Sequence, residues 1–185
     1  MKTILTLGLI AVTINIWSQE YNKEIALEGH QPFMVGQINL EGLSKDPYHT
    51  WFAGQVENYT VDANLAKTFK ETLKNYNITV FLGTWCGDSK REVPRFVKIL
   101  KEADYPMEQP TMVALDRRKE FYKKSPTGEE KGLNIIKVPT FIFSKSGEES
   151  NRIVESPIES LEEDILQIVM EKPYVPNYAS AEKAH

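Results

Sequence analysis

The sequence predicts an α/β fold in which one mixed sheet carries helices on both faces. Two short apolar runs rich in β-branched and aromatic residues, 78–82 and 111–115, are typical of buried strands. Helical periodicity separates them, and the chain continues into a third strand, a hairpin turn and a last helix. An alternating order that closes with a hairpin indicates a sheet with both parallel and antiparallel pairs.

Local patterns define the first elements of this order. Apolar residues recur on one helical face after Asp62, which is a favourable N-cap residue, and the strand over 78–82 follows. The pattern then returns to a helical period, which predicts a second helix from Cys86 to Lys101. The single cysteine of the chain is therefore expected at a junction between a strand and a helix.

A charged stretch, 117–131, follows the second strand. It contains Pro126 and Gly128, so we interpret it as a short helix and a loop. Its cations are interpreted as a solvated helix face: Arg117, Arg118, Lys119, Lys123 and Lys124.

The last part of the domain has clear boundaries. A strand over 140–143 leads to a Lys-Ser-Gly turn signal at 145–147 and a short returning strand over 152–154. Ser160 and Glu163 form a capping-box pattern that starts the last helix.

The N-terminus predicts a secretory signal peptide over residues 1–18. Lys2 precedes an apolar run that is shorter than the roughly 20 residues needed to span a bilayer, and cleavage is expected after Ser18 or Gln19. A retained membrane anchor is the alternative interpretation. We therefore expect a periplasmic or secreted protein that is free of the membrane once the signal is removed.

The remaining chain divides into three parts. Residues 20–60 form an N-terminal extension, residues 61–172 form the main domain, and residues 173–185 form a loose C-terminal tail. The formal net charge of −4 lacks the basic excess of nucleic-acid-binding proteins, so no nucleic-acid partner is expected. The three histidines lack metal-ligand spacing with the cysteine, and we expect neither a metal nor a cofactor.

Cys86 is the residue with the clearest chemical potential. A single cysteine cannot form a disulfide within the chain, and an exported thiol is a liability unless it is buried or used. The free amides and the positive dipole end of a helix N-terminus favour a thiolate, which is the nucleophilic form. The polar residues that follow Cys86 argue against an inert buried cysteine.

Motifs around this cysteine occur in a specific order. Trp85-Cys86-Gly87-Asp88-Ser89-Lys90 is followed by Pro94 in the helix, by Lys137-Val138-Pro139-Thr140 before the third strand, and by Ser146-Gly147-Glu148 at the hairpin. Together they resemble the active-site helix, the cis-proline strand and the hairpin turn of the thioredoxin-like family. The resemblance covers residues 62–171.

The resemblance implies a thioredoxin-like sheet and a cis Val138–Pro139 peptide bond beside Cys86. It implies that Cys86 and Ser89 carry the chemistry, that the backbone of Val138 pairs with a bound peptide, and that Trp85 forms an apolar flank. The substrate-binding residues that it implies are Trp85, Gly87, Asp88, Val138, Pro139 and Thr140.

The chain departs from the family at the second cysteine, where it has Ser89. A hydroxyl cannot resolve a mixed disulfide, although it can donate a hydrogen bond to the Cys86 thiolate. The resemblance therefore implies a monothiol protein whose cysteine forms mixed disulfides with thiols or disulfides of partner proteins, or with small thiols. Whether such a protein is an enzyme, a thiol–disulfide oxidoreductase without its resolving cysteine, stays open.

Two alternatives remain at the level of sequence. In the first, the chain is a redox-inactive binding module that holds a peptide in the groove around Trp85, Val138 and Pro139. Cys86→Ser would leave the function of such a module intact, whereas it would abolish thiol–disulfide exchange. In the second, the chain is a thiol peroxidase. This is less favoured because Pro-x-x-x-Thr-x-x-Cys is typical of peroxidases on this fold, whereas Thr84 lies two residues before Cys86 without an upstream proline in place.

Overall fold

A six-stranded mixed sheet forms the centre of the chain in the computed structural model, which describes residues 20–182. Its strands are β1 (Lys23–Ile25), β2 (Phe33–Ile38), β3 (Asn77–Leu82), β4 (Thr111–Ala114), β5 (Thr140–Lys145) and β6 (Glu148–Val154). They lie in the order β1-β2-β4-β3-β5-β6, with β3 and β4 parallel and the other neighbours antiparallel. The predicted mixed α/β class is confirmed.

Helices make up most of the remaining regular structure within these residues. They are α1 (Leu40–Leu43), α2 (His49–Asn58), α3 (Ala63–Leu73), α4 (Gly87–Glu102), α5 (Leu161–Val169) and α6 (Ala179–Glu182). The Asp62 carboxylate caps α3 by accepting the Leu65 amide at 3.1 Å, and the Ser160 hydroxyl caps α5 by accepting the Glu163 amide at 3.1 Å. Both caps are as predicted. None of the helices described is long and apolar enough to cross a membrane.

The strands predicted from apolar runs are all present. The runs over 78–82, 111–115 and 140–143 correspond to β3, β4 and β5, with small differences at their ends. β3 pairs in parallel with β4 on one side and antiparallel with β5 on the other. Because β3 ends at Leu82, its carboxyl end leads directly into the turn that contains Cys86.

The buried side chains of the helices lie on one face of the sheet, which corrects the prediction of helices on both faces. Alternate strand residues, such as Val80 and Phe141, share one apolar cluster with buried side chains of α1 to α5. The opposite side chains, such as Phe81 and Ile142, pack instead against the connection between β4 and β5. The second face is therefore covered by this connection.

The short helix expected in the β4–β5 connection is a single 3₁₀ turn, Lys119–Phe121, and the rest of the connection is loop. Its backbone has positive φ at Lys123, Gly128 and Gly132. Backbone in that region cannot continue a right-handed helix. Arg117, Lys119 and Lys124 are exposed as expected, but the cations do not share one helix face, because only Lys119 lies in the helical turn.

The N-terminal extension belongs to the same sheet and helix layer. β1 and β2 continue the sheet beyond β4, and α2 packs against α4. The Met34 amide in β2 donates to the buried Thr84 hydroxyl at 2.9 Å. This contact ties the extension to the turn that precedes Cys86.

The C-terminal tail is attached to the domain as far as residue 178, although the sequence predicts a loose segment. The Tyr174 hydroxyl donates to the Asp164 carboxylate at 2.7 Å, and burial together with this carboxylate raises the pKa of Tyr174. The Asn177 side chain donates to the Ser156 carbonyl at 2.9 Å. The tail thus packs along the end of β6 and the start of α5.

Candidate functional site

Cys86 is the N-cap residue of α4. The chain leaves β3 through Gly83 and Thr84, and the Cys86 amide donates to the Gly83 carbonyl at 2.8 Å. The Cys86 carbonyl accepts the Lys90 amide at 3.0 Å and so begins the helix. The cysteine therefore lies at the positive end of a helix dipole, as the sequence predicts, and its sulfur makes no capping hydrogen bond to the amides of the first turn.

The Cys86 sulfur faces the turn before β5. Its thiol donates to the Val138 carbonyl, with 3.3 Å between sulfur and oxygen. The Val138–Pro139 peptide bond is cis, as the resemblance implies. Cys86 has intermediate exposure, whereas Val138 and Pro139 are buried, so the site formed by the sulfur and the proline turn reaches the protein surface at the cysteine.

Ser89 lies inside the protein beneath this site. It has no exposed surface, and its hydroxyl oxygen accepts the Gly83 amide at 3.1 Å. The hydroxyl thus holds the strand-to-helix turn in place and keeps its own proton available for donation. A side chain so buried offers no surface to a partner protein. Any effect of Ser89 on the chemistry of Cys86 must therefore act through contacts inside the protein.

The Trp85 indole is held beside the site by a specific contact. Its Nε1 donates to the Leu115 carbonyl at 2.8 Å, and the ring centroid lies 5.8 Å from that of Tyr122. Gly83 permits this position, because a Cβ at residue 83 would come within 2.8 Å of the indole. Trp85 therefore forms a fixed, partly exposed apolar wall.

The first turn of α4 carries two further predicted site residues, Gly87 and Asp88. Gly87 is exposed, and a Cβ there would meet nothing within 4 Å. The Asp88 carboxylate pairs with Arg91 at 2.9 Å. The Lys90 ammonium lies 6.0 Å from the centroid of the Trp51 ring. Both charged neighbours of the cysteine are thus engaged with other groups.

The turn before β5 is more enclosed than the resemblance implies. Val138, Pro139 and Thr140 are all buried, and Val138 is only 4% exposed. The Thr140 hydroxyl donates to the Lys137 carbonyl at 2.7 Å, and the Pro139 carbonyl accepts the Glu155 amide at 2.7 Å. The Thr140 side chain therefore holds the turn in shape and presents no surface to a substrate.

Lys123 is a site residue that sequence reasoning missed. It lies on the β4–β5 connection, and its ammonium group donates to the Ile136 carbonyl. Burial lowers the pKa of Lys123 and the nearby Lys137 lowers it further, whereas Glu155 and the Cys86 thiolate raise it. Lys123 is thus close enough to Cys86 for their charges to interact. The cationic run was the only sequence signal that pointed to Lys123. The position of this run relative to the sulfur depends on the fold.

A second missed group braces the proline turn. The Lys137 ammonium pairs with the Glu155 carboxylate at 2.8 Å and lies 4.9 Å from the Tyr178 ring centroid, while the Tyr178 hydroxyl donates to Glu155. Although burial opposes the effect, hydrogen bonds from Lys137 and Tyr178 lower the pKa of Glu155. The network connects the C-terminal tail to the turn that faces the sulfur.

A cleft of about 360 Å³ lies next to the first turn of α4. Its lining combines Thr84 and Lys90 with Pro32, Pro47 and Trp51 of the N-terminal extension. The extension thus supplies part of the surface around the site, a role that its sequence does not reveal.

Comparison with known proteins assigns no family to the chain: no family model matches it, and no curated protein matches it. The part of the chain that the structure describes contains no group of three or more His, Cys, Asp or Glu side chains that could hold a metal ion. Function is therefore inferred from the geometry around Cys86, Val138 and Pro139.

Proposed function

We propose that this chain is an exported, thioredoxin-like monothiol protein that acts in thiol–disulfide exchange through Cys86. The observation that carries the proposal is the position of Cys86, a partly exposed residue at the N-terminus of α4 whose sulfur lies 3.3 Å from the carbonyl of Val138. A helix N-terminus favours the nucleophilic form of a cysteine, and a backbone edge beside it suits recognition of an extended peptide.

The order of elements supports the thioredoxin-like interpretation. The chain runs from β3 through the cysteine turn into α4, returns in parallel in β4, and finishes with the β5–β6 hairpin and α5. The cis-proline immediately precedes β5. One feature departs from the expected arrangement, since the buried side chains of the helices share one face of the sheet.

The first chemical step forms a mixed disulfide. The Cys86 thiol releases its proton to solvent, and the thiolate attacks one sulfur of a partner disulfide, whose other sulfur leaves as a thiolate. One S–S bond breaks and one forms, so the step needs no external oxidant or reductant. The N-terminus of a helix favours a negative charge beside it, and Lys123 is close enough for its charge to interact with that of Cys86.

Ionisation also changes the backbone beside the sulfur. The Val138 carbonyl accepts the thiol proton in the resting site, and it loses this donor when Cys86 ionises. The carbonyl then becomes available to accept an amide of the bound peptide. Attack and strand-like recognition are thus coupled at one oxygen atom.

The second step needs a thiol from outside the chain. Ser89 occupies the position of the resolving cysteine, and its hydroxyl cannot form a disulfide. An incoming thiolate attacks the partner's sulfur in the mixed disulfide and releases Cys86 as a thiolate. The proposed reaction therefore consumes one small thiol or one partner thiol in each cycle.

The proposal also includes export, which is inferred from the signal-peptide pattern at the N-terminus of the sequence. The predicted signal peptide falls on residues 1–18, which lie outside the residues that the structure describes. A periplasmic or secreted location would supply disulfide-containing partners, because those compartments are oxidising.

Incubation with hydroxyethyl disulfide, followed by intact-mass measurement, tests the proposal. We expect one mercaptoethanol adduct per chain, its removal by added thiol, and no adduct on the Cys86→Ser variant. Cys86→Ser is also the control for folding, since its melting temperature should stay close to that of the parent chain. A native protein that gains no adduct would contradict the proposal and favour the redox-inactive peptide-binding module.

A further inference from the structure

A cationic and aromatic surface lies on the β4–β5 connection, at residues 117–124, which we call the basic–aromatic loop. The loop contains five cations and one acid, Glu120, although the whole chain has a net charge of −4. Phe121 and Tyr122 are 49% and 51% exposed. Exposed aromatic side chains among cations are more typical of an interaction surface than of ordinary solvated surface.

The loop is continuous with the reactive sulfur. The Tyr122 ring lies 5.8 Å from the ring of Trp85, the residue before Cys86. Lys123 donates to the Ile136 carbonyl in the turn before β5, and its charge interacts with that of Cys86. A segment bound on the loop would therefore lie beside the sulfur.

The cations of the loop are only partly engaged within the protein. Arg118 pairs with Asp116 at 2.7 Å and lies 4.6 Å from the Phe121 ring centroid. Lys119 and Lys124 are exposed, and neither makes an ion pair with another residue between positions 20 and 182. Their charges are available to a partner.

We propose that the basic–aromatic loop docks an acidic segment of the partner protein, next to the partner cysteine that exchanges with Cys86. The inference rests on the proposed function and adds the kind of partner that the site selects. Opposite charge raises the rate of encounter, and the exposed rings of Phe121 and Tyr122 supply apolar contact once the segment has bound.

Two short peptides provide the probe, Asp-Asp-Gly-Cys and Lys-Lys-Gly-Cys, each with its cysteine in a mixed disulfide with thionitrobenzoate. The Cys86 thiolate attacks the peptide sulfur, a new S–S bond forms, and thionitrobenzoate leaves as a coloured thiolate that reports the rate. At low ionic strength we expect the acidic peptide to react on the order of tenfold faster than the basic one. The ratio should approach one in about 1 M salt, where charges are screened.

A matched pair of double variants shows whether the loop causes this preference. K119E/K124E should reduce the acidic-to-basic rate ratio to about one or below. K67E/K172E changes the net charge equally at exposed lysines outside the loop and should keep the ratio within about twofold of the parent value.

The outcomes separate this inference from the proposed function. Equal rates for the two peptides, or an unchanged ratio in K119E/K124E, would overturn the docking surface while leaving exchange at Cys86 intact. Equal rates together with binding of the protein to phosphatidylserine vesicles would assign the loop to a membrane surface instead. Absence of thionitrobenzoate release from both peptides would overturn the proposed function and the inference with it.

Discussion

The Cys86 sulfur lies 3.3 Å from the Val138 carbonyl oxygen, although the two residues are 52 positions apart in the chain. The contact joins the N-terminus of α4 to the cis-proline turn before β5. A thiol that donates to a carbonyl gives up that hydrogen bond when it ionises. Formation of the nucleophile therefore leaves the Val138 carbonyl without this donor, and the proposed function assigns that oxygen to pairing with a partner segment.

Ser89→Cys is expected to turn the monothiol site into a dithiol site. The substitution places a second sulfur one helical turn from Cys86, within the spacing at which side chains on one helix face meet. The variant should reduce insulin in the presence of dithiothreitol, whereas the parent chain should show little such activity. Insulin turbidity measures the difference.

Ser89→Ala is the matched control for this change. It removes the acceptor of the buried Gly83 amide without adding a thiol, so it should lower the free energy of unfolding by about 1–3 kcal/mol. It should confer no insulin reduction. A folded Ser89→Cys protein that is no more active than Ser89→Ala would count against the proposed geometry of the site.

Gly83→Ala is expected to displace the Trp85 indole. The new Cβ would lie within 2.8 Å of the ring, so the bond from Nε1 to the Leu115 carbonyl must lengthen or break. Overpacking of this kind costs about 1–3 kcal/mol in the free energy of unfolding, which urea denaturation measures. Gly87→Ala is the control, because a Cβ there meets nothing within 4 Å and should leave stability unchanged or slightly higher.

Lys123→Gln is expected to slow the reaction of Cys86 with iodoacetamide at pH 7, by about two- to tenfold. The substitution removes a cation whose charge interacts with that of Cys86, and a nearby cation attracts the negative charge of a thiolate nucleophile. Lys124→Gln removes the adjacent, exposed cation and should change the rate less than about twofold. Equal rates for the parent and Lys123→Gln would show that Lys123 does not act on the sulfur.

The parts of the site that could be predicted from sequence depend on local signals. The apolar run of β3, the caps Asp62 and Ser160 and the position of Cys86 at a helix start each follow from a few neighbouring residues. The placement of Lys123 does not, because it depends on how the β4–β5 connection crosses the sheet. Likewise, the burial of Thr140 is set by packing around the proline turn.

The prediction that helices cover both faces of the sheet was wrong for a related reason. Periodicity locates a buried stripe on a helix but does not say which sheet face it covers. In the β4–β5 connection, Pro126, Gly128 and Gly132 prevent a helix, so irregular backbone takes the second face. Turns there bring Tyr122 next to Trp85, while Lys119 and Lys124 stay exposed.

Glu155→Gln is expected to weaken the turn beside Cys86 in a pH-dependent way. The pKa of Glu155 is lower in the folded chain than in the unfolded one, so its stabilising contribution is complete above about pH 4.3 and is lost as pH falls through the folded value. At pH 7 the variant should melt about 1–4 °C lower than the parent, because the pair is only partly buried. The difference should shrink as the pH falls below about 4.3.

Thermal unfolding followed by circular dichroism measures the melting temperatures of the parent and of Glu155→Gln at each pH. Glu148→Gln serves as the control, because Glu148 is exposed on β6. The melting temperature of this variant should follow that of the parent at each pH. A difference for Glu155→Gln that stays constant from pH 7 to pH 3 would show that ionisation of this carboxyl does not hold the turn.

Titration of the native protein with dithiobis(nitrobenzoate) tests most directly whether Cys86 is a reachable exchange sulfur. We expect one equivalent of thionitrobenzoate per chain, released at least as fast from the folded protein as from the same chain unfolded in urea, and none from Cys86→Ser. Release that begins only after unfolding would contradict the account, because it would place the sulfur out of reach of any partner.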